Sequence, residues 1–507
     1  MDQLLSANVE TRFGSVSGFI KDGICRFNGI PFARPPVGKL RWRAPEPPEP
    51  WAGVRDCSRF GAIAPQIQGA AEGLLGGTAG EKSEDCLYLN IWTPACDSAK
   101  RPVMVWIHGG AFVTGAGSVG TYNGKHLARH GDVVVVTINY RLGALGFLNL
   151  KDASDGALPG TGTEGLADQI AALAWVRDNI ESFGGDPGKV TIFGESAGGM
   201  SVGALLAAPS ARGLFHKAIA QSGACDIGHA RDKTAGIARL LLERMGLDSS
   251  DWAKLADAPW QLVLEAQKQL LAEPRATGSL PFAPTIDGAL LPRRAIACVR
   301  EGSAKNIPVM TGTTRDEWKL FTATAAKLRL MDEAKLRRYT ARLVGETQAE
   351  AVLSAYAGGS PFDRWNAVMT DHSFAIPAIR LVEAQSAHAP AFLYRFDWTS
   401  TFLRGVLGSC HALELGFVFG TYNEKLAAAF FGAGAKAASL SLAMMDAWTA
   451  FARTGRPVVS SGPEWPAYNE TARPAMIFSA DAPRVESDPN AARRRAWSDV
   501  PESAIGP

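Results

Sequence analysis

The chain has 507 residues, 46% apolar and 20% charged, a composition ordinary for a globular protein with a large core. Its 52 basic and 50 acidic side chains are interspersed, so there is no basic face for nucleic acid and no polybasic anchor for a membrane. No apolar run reaches the roughly 18 residues of a spanning helix, and Met1 to Glu10 has neither the basic nor the apolar region of a secretory leader.

In chain order, Val9 to Ile20 alternates in the manner of a β-hairpin. Gly29 to Gly38, and then Leu40 to Trp51, carry too much proline for regular structure and predict an extended surface segment. Residues 66–83, rich in Gly, Ala and Glu, predict a mobile loop. Leu87 to Trp92 alternates at period two. Val103–Ile107 and Val133–Thr137 are near-continuous apolar runs, as in strands covered on both faces. Ile170 to Phe183 has helical spacing and stops at Gly184-Gly185-Asp186-Pro187. A strand at Val190–Phe193, a helix at Ala197–Ala207 and a strand at Lys217–Ala220 follow.

Residues 229–272 and 322–388 read as mostly helical, with strands at Ile307–Gly312, Phe392–Phe396 and Met476–Phe478 and a long helix at Leu440–Arg453. Strands alternating with helices predict an open, mostly parallel α/β sheet. Length alone would suggest about three domains. The expected organisation is instead one domain over 1–507, with helical insertions at about 226–306 and 319–390.

The chemistry centres on Gly194-Glu195-Ser196-Ala197-Gly198, a match to G-x-S-x-G between a strand and a helix. That motif turns a strand so sharply into a helix that the serine takes a strained conformation and its hydroxyl stands clear of the sheet. The motif alone is weak evidence, and its surroundings carry the reading. Upstream, the Val103–Ile107 strand runs into His108-Gly109-Gly110-Ala111-Phe112. In α/β hydrolases such a loop supplies oxyanion-hole amides, which here would be those of Gly110, Ala111 and Ala197. Downstream, Asp316 and Glu317 lie just past a strand end, and spacing does not choose between them. His411 follows in a Gly-rich loop. His372 and His388 sit in helical stretches and read as packing or surface residues, which leaves His411 as the base in the order Ser, acid, His.

Together these stretches resemble the type-B carboxylesterases of the carboxylesterase–cholinesterase family, and among them the bacterial para-nitrobenzyl-type esterases. The residues that carry the likeness are Gly29–Val37, Glu84–Trp92, Trp106–Phe112, Asn139–Gly146, Phe183–Gly199, Gln221-Ser222-Gly223, Arg315-Asp316-Glu317 and His411–Gly420. The resemblance implies an α/β-hydrolase fold and a serine esterase acting on small-molecule carboxylic esters, with Ser196, Glu317 and His411 as catalytic residues. It makes Glu317 rather than Asp316 the acid, and gives Ser222 a place beside the triad. Family members usually have Gly where this chain has Trp318. They often bond the cysteine equivalent to Cys86 to one some twenty residues upstream, where this chain has Ala64-Pro65-Gln66, so that disulfide is not expected.

Activity is expected to fade on the acid side near the ordinary imidazole pKa of about 6.5. Glu195 is expected to point away and pack. Phe112, Phe282, Phe321 and Trp318 are candidate walls of an apolar pocket, and the Gly-Gly-Ala loop implies tolerance of bulky alcohols. No metal or cofactor is expected. The seven scattered cysteines, never in C-x-x-C spacing, predict free thiols in a reducing, cytoplasmic setting. The chain would be a monomer or homodimer.

Alternatives are an amide or carbamate hydrolase on the same triad, and a non-catalytic cholinesterase-like binding protein, which the intact triad disfavours. Gly115 to Gly120 also spells G-x-G-x-x-G, but it trails the His108 loop and precedes a turn rather than a helix, so a dinucleotide fold is not indicated.

Overall fold

The computed structural model describes residues 5–67, 77, 80–248, 250–273, 279–424 and 427–506. Its strands are β1 (Leu5–Thr11), β2 (Gly14–Lys21), β3 (Ile24–Pro31), β4 (Val54–Asp56), β5 (Tyr88–Thr93), β6 (Arg101–Ile107), β7 (Val134–Ile138), β8 (Gly185–Glu195), β9 (Lys217–Gln221), β10 (Val309–Thr314), β11 (Ala391–Phe396), β12 (Pro474–Phe478) and β13 (Arg484–Ser487). They form one sheet in the order β1-β2-β3-β5-β7-β6-β8-β9-β10-β11-β12-β13, with β4 beside β2. From β7 to β12 every neighbouring pair is parallel, and antiparallel pairs lie only toward the two edges.

The apolar runs sit at the centre because both sheet faces are covered. Along β6, Val103, Val105 and Ile107 enter one core, shared with Leu166, Leu173 and Val176 of the helix Glu164–Asn179 and with Val202 and Leu205 of the helix Ala197–Ala207. Met104 and Trp106 point the other way, into a core with Leu440, Met444 and Trp448 of the helix Ala435–Thr454.

Helices Arg231–Arg244, Trp252–Asp257, Trp260–Leu271 and Ala295–Arg300 lie between β9 and β10. Glu333–Val344, Glu346–Ser354, Pro361–Thr370 and Ile376–Ser386 lie between β10 and β11; all of these helices but Ala295–Arg300 fall in the stretches 229–272 and 322–388 read as helical. The proline-rich arm is only partly the irregular surface segment expected: Gly29–Pro31 complete β3, a 3-10 turn covers Gly38–Leu40, and Phe32 and Trp42 are buried. Arg41 fixes it: its guanidinium grips Glu84 through two 2.6 Å bonds and donates to the carbonyls of Ala256 and Ala258 in the first insertion.

Two readings change. The edge strand β13 was not foreseen, because Arg484 to Ser487 is short and polar and pairs only with β12. Strand β8 begins at Gly185, where a helix stop alone was expected. Most of the stretch 66–83, read as a mobile loop, lies outside the described residues. All seven cysteines are free thiols. Among the described residues no helix is long and apolar enough to cross a membrane.

Candidate active site

Parallel strands deliver their C-terminal ends to one edge of the sheet, and here those ends are in register. Ile107 of β6 pairs with Gly194 of β8, Glu195 with Gln221 of β9, and Gln221 with Gly312 of β10. The loops carrying His108–Phe112, Ser196, Ser222 and Glu317 all leave from this edge.

Ser196 has φ 58° and ψ −126°, outside the regions a side-chain-bearing residue prefers. Its flanking glycines are required by contact. A Cβ on Gly198 would fall 2.0 Å from the Ile107 carbonyl oxygen, and one on Gly194 would fall 2.6 Å from the Gly198 backbone. The next turn of backbone begins the helix Ala197–Ala207. Facing it, Gly110, Ala111 and Phe112 all have positive φ, a local strain that turns successive amides the same way. Among the described residues no acceptor takes the amide hydrogens of Gly110, Ala111 or Ala197.

Gln66 clamps this loop, accepting from the Gly115 amide and the Thr114 hydroxyl at 2.8 Å each and donating to the Gly115 carbonyl. His108 stacks on Tyr140 with ring centroids 4.4 Å apart, and burial holds its pKa down to about 4, so it is a neutral support.

Glu317 is fully buried. Its Oε1 accepts from Ser222 Oγ at 2.6 Å and the Thr314 amide at 2.7 Å, and its Oε2 lies 2.6 Å from His411 Nδ1. Asp316 instead takes the Ser409 amide and pairs with Arg315 and Lys319, so it frames the histidine loop from outside. His372 and His388 are engaged elsewhere, with the carbonyls of Ala504 and Arg300.

Glu195 corrects an expectation. It does not point away: its buried carboxylate stands with Oε1 3.0 Å from His411 Nε2, without the alignment of a hydrogen bond. The Ser196 hydroxyl, one residue on, makes no hydrogen bond among the described residues. Glu414 is a third buried carboxylate near the ring, accepting from Gln221 Nε2 at 3.0 Å, while Trp448 Nε1 donates to Gln221 Oε1 at 2.9 Å.

Burial alone would lower the His411 pKa. The charges of Glu195 and Glu317 outweigh it and push the imidazole up to about 9. Desolvation in turn raises Glu195 to about 8 and Glu414 to about 7, with neighbouring carboxylates adding to both. The acid-side loss of activity is therefore expected well above 6.5. Sequence reasoning missed Glu414 and Gln221, although Glu414 lies three residues beyond His411, and one helical turn would bring it to the same side.

Trp318 and Phe321 are in ring contact at 4.9 Å, and Phe321 and Phe374 lie 5.0 Å and 4.8 Å from the imidazole. Phe321 is 47% exposed, so this aromatic group borders the mouth of the site. Phe112 is closed into the core against Phe147, and Phe282 is fully buried. Among the described residues no group of three or more His, Cys, Asp or Glu side chains could hold a metal ion.

Residues 5–497 match the carboxylesterase family profile. The chain is 41% identical to the para-nitrobenzyl esterase of Bacillus subtilis (strain 168), covering 96% of this chain and 97% of that one. It is 35% identical to the phenmedipham hydrolase of Pseudarthrobacter oxydans over 94% and 96% of the two chains. Among solved structures, a thermophilic PNB esterase superposes with a TM-score of 0.88 at 39% identity, covering 96% of this chain and 99% of that chain.

Proposed function

Since the chain belongs to the carboxylesterase family and is a carboxylic ester hydrolase, we propose that it cleaves small-molecule esters through an acyl-enzyme on Ser196. The observation that carries this reading is the 2.6 Å contact between His411 Nδ1 and the buried Glu317, at the strand edge where the strained Ser196 emerges. Glu317 holds the Nδ1 proton and orients the ring, leaving Nε2 for the serine. Glu195, the residue before Ser196, has its carboxylate 3.0 Å from Nε2, so the turn that carries the serine and the loop that carries the ring meet at the same strand edge. The hydrogen bond between Ser196 Oγ and Nε2 forms when substrate fills the site.

Ser196 Oγ attacks the ester carbonyl as Nε2 takes its proton. The free amides of Gly110, Ala111 and Ala197 receive the oxyanion, a donor of this kind being worth about 10²–10³ in rate. His411 then protonates the departing alcohol, and water repeats the sequence on the acyl-enzyme. The imidazole must shed its proton before it can act as base, so turnover rises with pH through a limb above the ordinary imidazole range. Trp318 and Phe321 wall the mouth of the pocket. The free thiols suit a reducing cytoplasm, where we place the protein as a monomer or homodimer.

Ser196→Ala tests the assignment. Hydrolysis of a nitrophenyl acetate should fall by about 10⁴-fold or more while the circular dichroism spectrum is unchanged. Retention of a tenth of the activity would remove Ser196 from the mechanism.

A further inference from the structure

Glu317 holds the His411 imidazole at one nitrogen, and a single hydrogen bond leaves a ring able to swing about it. Two phenyl rings limit that swing. The centroid of Phe374 lies 4.8 Å from that of the imidazole and the centroid of Phe321 5.0 Å, while the two phenyls stand 6.3 Å apart at 10° to one another. The imidazole therefore sits in the notch between them. Phe321 is open to solvent and Phe374 is buried, so Phe374 is the firmer support.

Phe374 belongs to a turn of π-helix, Asp371–Ala375, between the helices Pro361–Thr370 and Ile376–Ser386. Such turns are rare, occur mostly singly and are frequent at functional sites. This one is tied to the segment Trp497–Gly506. His372 Nε2 donates to the Ala504 carbonyl at 3.1 Å, and the Gly506 amide donates to the His372 carbonyl at 3.2 Å. Burial holds the His372 pKa down to about 4, so its ring is neutral. With the proton on Nε2, Nδ1 accepts from Ser373 Oγ at 3.2 Å. One residue earlier, Trp497 Nε1 donates to the Tyr356 hydroxyl at 2.7 Å, and that hydroxyl donates to Asp371 Oδ2 at 2.5 Å.

The segment is itself anchored on both helical insertions. Arg294 donates to the carbonyls of Glu502 and Ile505, and Arg380 to those of Trp497 and Val500. Gly506 comes so close that a Cβ there would fall 2.7 Å from the Asp226 carbonyl oxygen.

We propose that Trp497–Gly506 is a positioning element for ester cleavage: it fixes the π turn so that Phe374 packs on His411 and keeps Nε2 turned toward Ser196. The proposal rests on the reading of His411 as the base. Its effect falls on the reaction rather than on binding. Once the segment is loosened, the π turn relaxes, Phe374 draws back, and the imidazole samples angles at which Nε2 no longer faces the serine. Substrate still enters past Trp318 and Phe321, so KM holds while kcat falls.

Two measurements test this on the full chain, below the melting midpoint of each variant. One is the steady-state hydrolysis of a nitrophenyl acetate. The other is the downfield proton NMR signal of His411 Nδ1–H, assigned by its loss in His411→Gln. His372→Leu keeps the bulk and removes the donor, and a chain stopped after Ser503 removes both partners of His372. Each should lower kcat about tenfold, leave KM within about twofold and move or broaden the signal. His372→Gln, whose amide can reach the Ala504 carbonyl, should keep the parent values. Should His372→Leu not fold, Tyr356→Phe, which removes one oxygen and breaks the other tie, carries the same expectation.

A lower melting midpoint with kcat and the signal unchanged would overturn the proposal, because the segment would then serve stability alone. So would a raised KM with an unmoved signal. The signal reports the setting of the ring whether or not Ser196 is the nucleophile. Activity retained by Ser196→Ala would therefore remove the serine reading and still leave this question decided by the spectrum.

Discussion

Glu195 is the side chain whose position matters most for how this site titrates. It lies 3.0 Å from His411 Nε2 and raises the pKa of the ring proposed as the base. Replacing it with Gln removes a negative charge while keeping the shape. The imidazole then loses its proton at lower pH, and the acid limb of kcat/KM should move down by about one pH unit. A pH–rate profile of Glu195→Gln that overlaid the parent would show that Glu195 has no hold on the ring. Its orientation was not legible in the sequence. At a turn this sharp the alternation of side chains along a strand no longer tells which way a residue points. Glu317 was easier: a carboxylate just past a strand end, made specific by its likeness to relatives. Ser222, which bonds Glu317 at 2.6 Å, was legible only through that likeness.

The elbow is the best-determined element, because its sequence pattern is a direct record of contacts. Gly198 is excluded from carrying a side chain by the Ile107 carbonyl, and Gly109 by the Glu195 carbonyl, 2.6 Å from where its Cβ would lie. Gly198→Ala therefore has to push the first turn of the helix Ala197–Ala207 away from the end of β6, at a cost of about 3 kcal/mol. A urea midpoint measured by fluorescence should fall accordingly, and an unshifted midpoint would mean that the turn is slacker than these distances imply. The parallel strands were equally readable, since continuous apolar runs have few other uses at their length. Edge strand β13 was not, because an element paired on one side and open to solvent on the other has no required pattern. Trp318 was legible as a departure from the family, but only coordinates put it in ring contact with Phe321 and Phe374.

On the scale of the whole molecule, the arm ahead of the central strands and the first helical insertion are held as one by Arg41. Its side chain is 10% exposed and that of Glu84 11%, so removing the guanidinium strands a nearly buried carboxylate and two carbonyls. Arg41→Ala should lower stability by about 3 kcal/mol. Limited proteolysis should then open the arm or the residues near Ala256 first. Uniform protection of both segments in the variant would mean that the clamp is dispensable. Nothing in the proline-rich sequence announced this contact, because the two partners lie far apart along the chain and neither forms part of a regular pattern.

The indole of Trp448 touches Gln221, and Gln221 touches Glu414 beside the His411 imidazole. Synthesis proceeds from the N-terminus, so β8 and Ser196 leave the ribosome long before that tryptophan does. A nascent chain stopped short of Trp448 would carry Ser196, Glu317 and His411 and still lack the last link of the chain of contacts around them. On the proposed mechanism, hydrolytic competence should come late in translation, when the helix Ala435–Thr454 docks.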